Sequence, residues 1–198
     1  MYKHTYSAKQ FTIGELKGIS QKQIDLHLKL YEGYVKFTNT LREQLEELRK
    51  DSEKNSYAIT ETLRRFGFEF NGMRMHEYYF EQFENGNIEL NQDSNLAKVL
   101  IEKYESIEGF IKHFKAVSLS RGIGWTILAY DPIGKTPHVY WVSDHELGQL
   151  AGLPIILALD MWEHAFMADY IPAEKIKYVD AFLNNINWQV TEDRFNKI

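Results

Sequence analysis

The longest amphipathic pattern in the chain opens after Ile19-Ser20, where Ile24, His27, Leu28, Tyr31, Tyr34, Val35, Thr38 and Leu41 recur at three- and four-residue steps. That spacing draws one apolar stripe along an α-helix, opposite the charged positions Arg42, Glu43, Glu46, Glu47 and Arg49. Ser20 suits the N-cap, and the helix is predicted to run to about Lys50. The polar break Asp51-Ser52-Glu53-Lys54-Asn55 ends it. A second helix follows, with Met73, His76, Tyr79, Phe80 and Phe83 along one stripe, so the two predict a long antiparallel α-hairpin.

Turn-forming residues without apolar periodicity fill the stretch from Glu84 to Asp93, which makes it the natural boundary. Beyond it, short helices are predicted from Asn95 to Lys103 and from Ile107 to Val117. The pair Gly122 and Gly124 then introduces two β-rich runs, Trp125 to Tyr130 and His138 to Ser143, that read as an antiparallel hairpin. The apolar run Leu153 to Leu159 gives a third, more buried strand, and one closing helix is predicted from about Ala173 to Arg194. The expected class is α+β. An N-terminal α-hairpin, residues 1–90, precedes a C-terminal domain, residues 91–198, with a three-stranded antiparallel sheet and surrounding helices.

Composition narrows the chemistry. With 198 residues and 44% hydrophobic content the chain can bury a sizeable core, and a net charge of -5 argues against phosphate-backbone affinity, so no nucleic acid is expected as partner. The absence of cysteine removes disulfides, thiolate catalysis and iron–sulfur ligation. Any metal must be held by histidine, carboxylate or solvent. No apolar run approaches a membrane span, and the first residues carry no secretion-like apolar core, which together point to a cytoplasmic protein without membrane contact.

The candidate chemistry gathers at Asp160-Met161-Trp162-Glu163-His164, directly after the buried run Leu153 to Leu159. A carboxylate at a strand's end, followed by an imidazole within one turn, offers two metal-capable groups on rigid backbone. His27 and His76 add two imidazoles from the predicted helices. Taken singly, each has a plain alternative: a lone histidine on an apolar helical face is more often a hydrogen-bonded core residue than a ligand, and a four-step Asp/His pair is common by chance.

The combination is more specific. Ile-Ser-x-x-x-Ile-x-x-His at Ile19 to His27, Tyr34-Val35, Phe70-Asn71-Gly72 ahead of His76, Gly122-x-Gly124-Trp125, Asp160-x-Trp162-Glu163-His164-Ala165, Asp169-Tyr170 and Asn187-Trp188 follow one another in the order of the iron/manganese superoxide dismutase family, which the chain resembles along most of its length. The resemblance implies that His27, His76, Asp160 and His164 hold one iron or manganese ion per subunit, with superoxide as substrate. Three imidazoles and one carboxylate can balance the divalent and trivalent states of such an ion. It also implies that Tyr34 is the gateway tyrosine, that Trp125 and Trp162 wall the centre, and that Glu163 reaches the partner's metal-binding histidine across a homodimer axis. A tetramer stays open. Relatives fix the metal-bound solvent with a polar group borne by the second helix or by the sheet; Gly72 can supply none, which assigns the role to His145. A surface histidine in a polar turn is the other reading of His145, and a buried core tyrosine the other reading of Tyr34.

Three departures from the family pattern stand out. Tyr34 comes seven residues after His27, where most relatives have eight, with Tyr31 in place of a histidine at the fourth. The shorter spacing predicts an unbroken α-helix with His27, Tyr31 and Tyr34 on one face. Phe166 stands where the family has a tyrosine that meets that histidine across the subunit interface, so the interfacial relay is expected to be absent or rebuilt around Tyr31. Ile127 replaces a common tryptophan. Alternatives to the dismutase are a non-catalytic dimeric metal-binding homologue and a non-haem iron oxygenase, although the latter uses fewer protein ligands. Iron and manganese are not separated by these residues, though Ala158, two before Asp160, lies where a side chain could tune the choice.

Overall fold

The computed structural model describes residues 4–198. Helix α1, Gln21–Leu48, starts where the Ser20 side chain accepts a hydrogen bond from Gln23 N at 3.1 Å. It continues as α-helix throughout, so the stretch from His27 to Tyr34 contains no bulge. A 3₁₀ turn, Arg49–Asp51, leads to α2, Ser56–Glu81, which packs against α1 as the second arm of a hairpin. Asn55 secures the bend by donating to Leu48 O.

Two short helices follow, α3 at Asn95–Tyr104 and α4 at Ile107–Ser118, each opened by a serine whose hydroxyl accepts from the backbone three residues on. The sheet comprises β1, Gly124–Asp131, β2, Thr136–Ser143, and β3, Ile155–Asp160. Its order is β2-β1-β3, antiparallel throughout, with Trp125 opposite both Val142 and Asp160. The pairing brings Asp160 to the end of the sheet beside the central strand. The α+β architecture is thus as the sequence predicts.

The C-terminal part differs. A single closing helix was expected, but the chain forms α5, Lys175–Asn185, and α6, Trp188–Phe195. Ile186 is extended, and Asn187 caps α6 by accepting from Gln189 N. The break is held from outside: Asn187 N donates to Gln82 O, and Trp188 N donates to Ile88 O. Asparagine's preference for caps over helix interiors thus coincides with a pairing to the segment after α2. Side chains from both helical arms, all three strands and α5 meet in one buried cluster, which includes Tyr31, Tyr79, Phe80, Trp125, Leu157 and Phe182.

Candidate metal centre

Each donor arrives on a separate piece of regular structure. His27 projects from the buried face of α1, His76 from α2, Asp160 from the last position of β3, and His164 from a 3₁₀ turn at Glu163–Ala165. The segment carrying His164 is sutured to α1 by Gln23, whose amide donates to His164 O at 2.6 Å and accepts from Ala168 N at 2.9 Å. One ligand atom from each of the four residues lies within 4.8 Å of every other.

The three Nε2 atoms converge on one oxygen. His27 and His164 each stand 3.1 Å from Asp160 Oδ2, and His76 stands 3.5 Å away. Ligand atoms about 2.0–2.2 Å from a shared ion have mutual spacings on this scale. The other carboxylate oxygen is fixed by Trp162 N at 2.8 Å.

The protonation pattern shows that the site suits a cation. His76 Nδ1 is 2.6 Å from Gly72 O, and a carbonyl can only accept, so that nitrogen carries the proton. Burial, followed by the neighbouring His27, holds the His76 pKa well below its ordinary value, which keeps the ring neutral. Its Nε2 therefore turns a lone pair toward the Asp160 carboxylate and has no hydrogen-bond partner. Burial works against the Asp160 charge, yet the His164 and His27 imidazoles keep that carboxyl well below the usual range. A buried lone pair facing a buried anion is unfavourable until a positive ion lies between them.

Around the donors stands an aromatic wall. The Trp125 ring meets His76 edge-on at 5.1 Å, and Trp162 stacks on both His145 and His164. His145 is fully buried, which removes the surface reading. Asp144 places it by adopting a left-handed conformation at φ 51°, and Asn71 holds its carbonyl at 2.8 Å. The indole N–H of Trp125 donates to His145 Nδ1 at 2.9 Å, so the proton of the neutral ring resides on Nε2. That Nε2 lies 2.8 Å from the Tyr34 hydroxyl and donates to it. Burial lowers the His145 pKa to about 4, keeping this arrangement neutral.

The Tyr31 hydroxyl is engaged within the chain. Its ring lies behind His76 at 6.4 Å, while its hydroxyl accepts from Lys9 N at 2.9 Å and donates to Glu77 Oε1 at 3.2 Å. Those bonds tie the N-terminal segment to the hairpin. Phe166 is buried against Tyr178 and offers no hydroxyl, and Ile127 and Ala158 are buried in the sheet. Glu163 is exposed on the surface beside Phe166 and Lys175.

Sequence reasoning passed over Phe68, whose ring packs 4.6 Å from His145 and 6.4 Å from Trp162 with Arg65 above it. It also passed over Gln23 and Gln82. A glutamine among the apolar positions of an amphipathic stripe was the available signal.

The model of the C-terminal domain of iron/manganese superoxide dismutases matches residues 92–194. The iron superoxide dismutase of Cupriavidus metallidurans is 34% identical over 184 residues, covering 91% of this chain and 90% of its own. That of Saccharolobus solfataricus is 32% identical over 183 residues, with 90% and 86% covered. The mitochondrial manganese superoxide dismutase of Glossina morsitans morsitans is 31% identical over 199 residues, with 98% and 89% covered. With its helical hairpin, three-stranded sheet and converging His/His/Asp/His group, the chain belongs to the iron/manganese superoxide dismutase family.

Proposed function

We propose that this protein is a superoxide dismutase, an oxidoreductase converting superoxide to oxygen and hydrogen peroxide, with one iron or manganese ion per subunit held by His27, His76, Asp160 and His164. The carrying observation is the convergence of three imidazole nitrogens on Asp160 Oδ2, one of them an unpartnered lone pair. The two parts of the chain, 1–90 and 91–198, each contribute two of these donors. Such an ion would supply one-electron exchange with superoxide.

The remaining work falls to side chains. Trp125, Trp162 and Phe68 exclude water from the donors. Forming hydrogen peroxide consumes two protons, and Tyr34 is the residue suited to hand one on. Its oxygen already accepts from His145 Nε2–H, so its own O–H is free to point toward substrate, and burial raises its pKa so that it stays protonated. Both ring nitrogens of His145 are engaged, by Trp125 and by Tyr34, so its part in holding solvent at the centre runs through the Tyr34 hydroxyl that it orients, while Gly72 has no side chain to take that role.

A homodimer belongs to this reading. Leu119, Ile123, Met167 and Ile171 leave between 37% and 61% of their surface exposed around Glu163, an apolar setting in which that carboxylate can reach the partner's His164. A cytoplasmic location fits a chain without cysteine in which, among the described residues, no helix is long and apolar enough to cross a membrane.

Reconstitution with iron and with manganese separately, followed by superoxide decay measurements, tests the proposal. Fast catalysed decay with one or both ions is expected. A fully loaded protein that leaves the spontaneous rate unchanged identifies a non-catalytic metal-binding homologue instead.

A further inference from the structure

The outer edge of β3, the side away from β1, is capped by three side chains. Ile156 O accepts from Arg194 Nη1 at 3.0 Å. Ala158 donates its N–H to Gln82 Oε1 at 2.7 Å and accepts from Gln82 Nε2 at 2.8 Å. Asp160 O accepts from the Tyr178 hydroxyl at 2.9 Å. Alternate residues of an edge strand present their backbone groups outward, and here each outward-facing carbonyl from Ile156 to Asp160 has a side-chain partner.

Two of these partners lead back to α2. Gln82 caps the C-terminal end of that helix, and Tyr178 meets the Tyr79 hydroxyl at 3.1 Å. Arg194 closes the arrangement from α6, binding Tyr78 O and Glu81 at 3.0 and 2.9 Å and standing 3.4 Å from Gln82 Oε1. His76 lies about 9 Å from Gln82 along the helix, at 1.5 Å per residue. Asp160 lies about 7 Å from Ala158 along the strand. The helix bearing one donor and the strand bearing another are therefore joined by a fully buried two-bond clasp that touches neither donor.

Resting on the metal-centre reading above, we propose that Gln82 is a positioning residue for the metal: its clasp on Ala158 sets how closely α2 holds His76 to Asp160, and so how tightly the ion is retained. Close-packed interiors transmit such displacements because no free volume absorbs them. Two bonds to the N–H and C=O of one residue fix both the separation and the tilt of the helix against the strand, which a single contact leaves free.

The test uses full-length protein loaded with Co(II), whose visible bands report donor geometry, and follows release to a chelator. Gln82→Met keeps the volume and removes both hydrogen bonds. Its Co(II) dissociation constant is expected to rise about 10- to 100-fold, the range for losing groups that orient metal ligands, with shifted bands. Ser106→Ala, which uncaps α4, is the stability control and should leave retention and spectrum unchanged. Gln82→Glu, should Gln82→Met fail to fold, still accepts from Ala158 N but loses the donor to Ala158 O, and is expected to weaken retention in the same direction. Unaltered retention and bands in either Gln82 variant overturn the inference, as does equal weakening in the control at equal loss of melting temperature. Wild-type protein that takes up no Co(II) overturns the metal-centre reading itself, an outcome distinct from a wild type that binds and variants that bind alike.

Discussion

The Trp125 indole determines which nitrogen of His145 carries a proton, because its N–H can only donate and it donates to Nδ1. Replacing Trp125 by Phe frees the imidazole to exchange tautomers and leaves the Tyr34 hydroxyl without a fixed donor. The expected outcome is a fall in superoxide turnover of about 10- to 100-fold, as for other groups that orient a site from behind. Turnover by the loaded enzyme checks the magnitude, and nitrogen NMR of the imidazole checks the tautomer.

Tyr34 occupies the space a side chain at position 72 would need, since a Cβ on Gly72 would come within 2.5 Å of Tyr34 Cδ1. Gly72→Ala therefore overpacks the seam between α1 and α2, at a cost of about 1–3 kcal/mol. In a double-mutant cycle with Tyr34→Leu, thermal denaturation should show most of that cost disappearing once the ring is gone.

Metal binding should stabilise the fold only while the four donors are intact. Iron or manganese at about one hundred times its dissociation constant adds about 2.7 kcal/mol to the wild-type protein. The same addition to Asp160→Ala should leave the melting temperature unchanged, which calorimetry with and without chelator will show.

Acid sensitivity should concentrate partly at Glu81. Burial pushes this carboxyl up, but hydrogen bonds from Lys9 and Arg194 reverse the effect and leave its pKa below the ordinary 4.5. The unfolded chain then binds more protons than the folded one just below that value, so the stabilisation is complete above it and is lost as pH falls. Urea unfolding of Glu81→Gln across this range should give a flatter acid limb than that of the wild type.

The hairpin and sheet were legible in the sequence because their apolar positions recur at helical spacing or in β-rich runs bounded by turns. The donor set was legible through the family order of its motifs, and the shortened helix through the step from His27 to Tyr34. The split between α5 and α6 was hidden, since it rests on Asn187 and Trp188 pairing with backbone at Gln82 and Ile88, contacts no local pattern announces. Gln23 and Gln82 were missed for a related reason: their main partners are backbone atoms 141 and 76 residues distant. The role of Tyr31 depended on where its hydroxyl points, and only the packing of Lys9 and Glu77 decides that.

Because His27 and Asp160 are 133 residues apart along the chain, the cavity for the ion does not exist until nearly the whole polypeptide has emerged and the last strand has docked. Assembly of the four-donor set is therefore a late step of folding. A chain that ends before Asp160 carries only two of the four donors, however well its helical hairpin has formed.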